Sequence, residues 1–140
     1  MKTQQEVFNY VVDFMRKQGK PASGGICVYL TDAGLMCAVG CMLPKDVAMK
    51  HANAGSINGI VSDVRGGGES LQELPQALWA FLGGEPAPLR EVLDGLRDWM
   101  PLLTSLQLAH DDASTASNFL RSFLSGCKEI AVKYGLEMPA

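Results

Sequence analysis

Apolar residues recur at Ala116, Phe119, Leu120, Phe123, Cys127, Ile130, Ala131 and Tyr134, and Gly135 follows directly after them. That spacing lays a single apolar stripe along a long final helix, with Asp111 or Asp112 as its expected cap and Gly135 as its stop. A helix with one apolar face must bury that face against other elements, so the chain is committed to a layered interior.

The remaining elements follow from punctuation. Thr3 and Glu6 form a capping box that opens a helix carrying Val7, Val11 and Phe14 on one stripe; Gly19 ends it and Pro21 bars its continuation. Residues 26–30 and 35–39 read as two strands, joined by the turn-forming Thr31, Asp32, Ala33 and Gly34. Pro44 suits the opening of a short helix over 45–52. Residues 53–59 are loop-like, and 57–64 fit a helical turn or an edge strand equally well. Gly66, Gly67 and Gly68 make the clearest break. Ser70 then caps a helix over 71–82, with Pro75 in its opening turns and Gly83 and Gly84 at its end. Leu89, Val92, Leu93, Leu96 and Trp99 mark another helix, which Pro101 kinks or divides from one over 102–110. The expectation is an α+β fold: a mostly helical bundle with a small two-stranded β-hairpin near the N-terminal third, one domain over residues 1–140.

Composition narrows the function. The chain has 140 residues, 47% of them hydrophobic and 19% charged, with a formal charge of -3. That excludes a disordered tail and leaves no basic field of the kind that holds nucleic acid through its phosphates. The longest apolar run, 35–44, is far short of the ~20 residues that span a bilayer, and the charged first helix does not read as a signal peptide. The expected compartment is the cytoplasm. There, the four cysteines are read as free thiols or metal ligands rather than disulfides.

Two patches are less generic. The first runs Cys27-Val-Tyr-Leu-Thr-Asp-Ala-Gly-Leu-Met-Cys37-Ala-Val-Gly-Cys41-Met-Leu-Pro-Lys-Asp46, and the second is Leu106-Gln107-Leu108-Ala109-His110-Asp111. Together they resemble an uncharacterised family of small bacteriophage and prophage proteins. The family's pattern is a Cys-x-Tyr strand, a Gly turn, Cys-Ala-(Ile/Val)-Gly-x-Leu-Ile-Pro-Asp, and a later Leu-Gln-x-x-His-Asp. This chain departs from it with Met42-Leu43-Pro44-Lys45-Asp46 in place of Leu-Ile-Pro-Asp. The resemblance implies a phage protein working in the host bacterial cell; it implies no mechanism.

These residue types bear on four chemistries. Cys27, Cys37 and Cys41 with His110 (or His51) offer zinc ligands, but structural zinc sites usually draw on two close pairs and only Cys37 and Cys41 form one. Packing of small thiols in the core is the favoured reading. Cys37 or Cys41 with His110 and Asp111 offers a nucleophile, base and orienting acid. Adjacent His and Asp, however, are expected to point apart, with Asp111 or Asp112 capping the last helix and His110 bonding the hairpin backbone. Gly66-Gly67-Gly68-Glu69-Ser70 lacks the lysine of a phosphate-binding loop and reads as a hinge. Lys45, Lys50, His51 and Arg65 are a scattered basic set that a small anion would need to gather.

Trp79, Phe81, Trp99 and Met100 read as core by their spacing. The expected partner-binding residues are Tyr29, Met42 and Leu43 of the apolar hairpin, with Trp79 and Trp99 at helix ends as anchors where exposed. The resulting expectation is a non-enzymatic binder of a host protein, such as a defence or regulatory factor, with no cofactor, nucleic acid or membrane involved and a homodimer compatible with the sequence. The rival readings are a zinc-supported domain and a pocket protein that sequesters a small anionic ligand such as a signalling nucleotide.

Overall fold

A computed structural model describes residues 1–22, 29–51 and 73–140. Helix α1, Gln4–Gln18, starts on the Thr3–Glu6 capping box with both reciprocal bonds made, and ends at Gly19 with φ 69°. Its Val7, Phe8, Val11, Val12 and Met15 are buried.

The expected hairpin does not form, and the described residues make an all-α fold rather than α+β. A single antiparallel bridge pairs Leu30 with Met36 around a turn at Gly34, which has φ 85°. The strand expected over 26–30 lies mostly outside the described residues. Across the bridge Thr31 N–H donates to Leu35 O at 2.8 Å, and Met36 is bonded on its other side. Gln18, from the end of α1, accepts from the Met36 N–H at 2.9 Å and donates to the Met36 carbonyl at 2.9 Å. Past Met36 the Val39 carbonyl accepts from Met42 N–H at 3.0 Å, which closes a turn instead of extending a ladder. The chain then coils into a 3-10 turn over Gly40–Met42, where Cys41 N–H donates to Cys37 O at 3.0 Å. Any Cβ on Gly40 would overlap the Tyr29 carbonyl oxygen, so this turn is built around a residue without a side chain.

Helix α2, Lys45–Lys50, follows Pro44 as expected. Helix α3, Glu73–Phe81, leads into a turn where Gly83 has φ 86°, and α4 spans Leu89–Leu96. The loop at 53–59, the undecided segment 57–64, the triple-glycine break and the Ser70 cap lie outside the described residues.

Helix α5, Met100–Ala113, begins with Pro101 in its first turn, where no amide donor is required, so the proline divides two helices instead of kinking one. It also runs past His110. Asp111 and Asp112 therefore lie inside α5, and the cap of the last helix is Asn118, whose side chain accepts from Arg121 N–H at 3.1 Å. Helix α6, Phe119–Tyr134, closes on Gly135 with φ 67°. Helices α5 and α6 approach closely where a Cβ on Gly126 would come within 3.2 Å of the Ala109 Cβ. Buried side chains from every helix join one core. No helix among the described residues is long and apolar enough to cross a membrane.

Candidate functional site

Among the described residues the core holds two buried polar side chains, Gln107 at 5% exposure and His110 at 1%. Both belong to the second distinctive sequence patch, and both stand on α5 with Asp111. Gln107 Oε1 accepts from Val39 N–H at 3.1 Å, and its Nε2 donates to Asp111 Oδ1 at 2.8 Å. His110 Nε2 accepts from Ala22 N–H at 3.1 Å. An acceptor at Nε2 places the ring proton on Nδ1, which donates to the same Asp111 oxygen at 3.0 Å. The imidazole also meets Phe119 edge-on, with centroids 5.5 Å apart.

Two expectations change here. His110 and Asp111, though adjacent, do pair, because the Asp111 carboxylate at the end of α5 lies alongside the ring. Gln107, not His110, secures the turn that follows Met36; His110 holds Ala22 instead. The two distinctive patches thus meet in space, as Val39 of the first is held by Gln107 of the second. No buried side-chain polar atom among the described residues lacks a partner.

Cys37, Cys41 and Cys127 are free and buried. Cys37 Sγ accepts from Gly40 N–H at 3.2 Å, and the Cys41 thiol donates to Ala38 O at 3.1 Å. Burial pushes the Cys41 thiol far above its ordinary range and that of Cys127 up to about 12, so both stay protonated at neutral pH. A nucleophile or a zinc ligand has to be a thiolate, and a base or an imidazole ligand needs a free lone pair. His110 has already given its lone pair to Ala22. His51 Nε2 lies 3.0 Å from Glu73 Oε2. Among the described residues no three His, Cys, Asp or Glu side chains are grouped to hold a metal; Cys27 lies outside them.

The residues expected to anchor a partner are placed inward. Tyr29, Met42, Leu43 and Trp99 are buried in the core, Trp99 at 7% exposure and the others below it. Their apolar bulk fills the interior, so a partner does not reach them. Trp79 is partly buried with its ring between Gly84 and Gly95, at each of which a Cβ would collide with the indole, and its Nε1 donates to Glu85 O at 3.0 Å.

Surface features lie elsewhere. A groove of about 420 Å³ runs between α5 and α6, with exposed Leu108 beside Asp112, Glu129 and Lys133. The basic set Lys45, Lys50, His51 and Arg65 does not gather as a free site: Lys50 and His51 both engage Glu73, and Arg65 lies outside the described residues. Cations converge instead around a second hollow, of about 450 Å³, lined by Arg16, Arg121, Leu124, Ser125, Lys128 and Met138. The one sequence signal for it was the seven-residue spacing of Arg121 and Lys128, which puts both on one face of α6; Arg16 is brought there only by the fold. No family model, no curated protein and no solved structure matches the chain.

Proposed function

We propose that this chain works by binding a protein of the host bacterial cell, as a non-enzymatic phage-type protein in the cytoplasm. The observation that carries this reading is that both buried polar side chains of α5, Gln107 and His110, hold distant backbone, while burial keeps Cys41 and Cys127 protonated. An interior engaged in this way supports a reading of recognition from the surface. The resemblance of the two distinctive patches to phage and prophage proteins supports the host context.

The α5–α6 groove is the favoured contact surface. Leu108 is 54% exposed there, an apolar point rimmed by Asp112, Glu129 and Lys133, which is the anatomy of an interface with an apolar centre and a polar edge. Capture from bacterial lysate with the wild-type chain and with Leu108→Asp tests it. The expected result is one host protein retained in constant ratio by the wild type and lost with the variant, both chains having the same thermal midpoint. Retention of the same protein by both removes the groove from the reading, and no retained protein at all removes the binder.

A further inference from the structure

Positive charge collects in the hollow between the end of α1, the middle of α6 and the C-terminal segment. Arg121 and Lys128 stand two turns apart on α6, both exposed, and neither has an acidic partner among the described residues. Arg16 faces them from the last turn of α1. Its Nη1 donates to Pro139 O at 2.9 Å and to Ala140 O at 3.2 Å, with Asp13 Oδ1 at 3.9 Å. These contacts hold the guanidinium in place. Three cations around one hollow is a local reversal in a chain whose formal charge is -3.

The walls are not purely ionic. Leu124 lies between Arg121 and Lys128 on α6, Met138 comes from the C-terminal segment, and both are partly buried against the core. Ser125 adds a hydroxyl. A bare inorganic anion would use the cations and leave this apolar wall unused. We propose that the hollow binds a small organic phosphate, with the phosphoryl group on Arg121, Lys128 and Arg16 and a flat apolar body against Leu124 and Met138. This goes beyond the host-protein reading and shares no lining residue with the α5–α6 groove, so the two fail separately.

Titration calorimetry of the full chain with AMP, adenosine and pyrophosphate tests it, alongside the double variant Arg121→Gln/Lys128→Gln. Both side chains are exposed, so the double variant is expected to keep the wild-type thermal midpoint without ligand. The expected result is AMP binding that weakens at least ~10-fold in the double variant and also weakens with added salt, as an exposed ionic site must. Adenosine and pyrophosphate are each expected to bind at least ~10-fold more weakly than AMP, about 1.4 kcal/mol apiece. The proposal is overturned if AMP gives no heat at millimolar concentration, or if the double variant binds it unchanged. It is overturned equally if pyrophosphate matches AMP, because the apolar wall then plays no part.

Discussion

Gln107 is the residue on which the turn after Met36 depends, since its amide oxygen takes Val39 N–H while its nitrogen supplies Asp111. Only an amide can accept at one end and donate at the other in this position. Gln107→Glu keeps the shape but turns a carboxylate oxygen toward Asp111 Oδ1. The expected loss at neutral pH is about 1–3 kcal/mol, the usual cost of breaking a buried bond and leaving its partner unmatched. Asp111 beside it raises the new glutamate's folded pKa above its unfolded value. The protonated form is then favoured by folding, so the deficit is smallest below the unfolded pKa and grows as pH rises through the folded one. Urea denaturation of variant and wild type at about pH 4 and about pH 7, on either side of the ordinary glutamate pKa, reads this directly. An equal deficit at both would remove Asp111 from the account.

Helix ends carry the next set of expectations. Asn118 caps α6 while Asp112 lies within α5 and faces the groove. Asn118→Ala should therefore destabilise by about 1 kcal/mol, and Asp112→Ala by far less, in parallel thermal melts. Between α2 and α3, the Glu73 carboxylate joins His51 at 3.0 Å and Lys50 at 3.2 Å. The bond from His51, and then that from Lys50, lowers the Glu73 pKa from its ordinary 4.5. A lowered folded pKa gives stability that is present above the unfolded value and lost as pH falls through the folded one. Between about pH 5.5 and 3.5, a window that spans the ordinary carboxylate range, the wild-type melting point should fall further than that of Glu73→Gln. Parallel curves would show that the link between the two helices is energetically idle.

At the scale of the molecule, one core contains every described cysteine. In native protein at about pH 8, where an accessible thiol of ordinary pKa reacts, Cys37, Cys41 and Cys127 should resist iodoacetamide, and all three should be labelled in guanidinium. Mass spectrometry of the digest locates the label. Native labelling of Cys41 would mean that the turn at Gly40–Met42 opens readily, and the account of a closed interior would fall. The same core explains why the anchors expected at Tyr29, Met42, Leu43 and Trp99 are out of a partner's reach.

Features written into a few neighbouring residues were legible without coordinates: the capping box at Thr3 and Glu6, the stop at Gly19, the stripe of α6 and its end at Gly135. Each depends on hydrogen bonds or spacing within one or two turns, which local sequence determines. Tertiary structure decided the rest. Gln18 bonds both backbone groups of Met36 from eighteen positions away in the chain, and Gln107 reaches Val39 across sixty-eight. Arg16 meets the face of Arg121 and Lys128 only once α1 lies against α6. A side chain that bonds a distant backbone group, or a charge that completes a hollow, acts through distance in space, and sequence spacing carries no record of that distance.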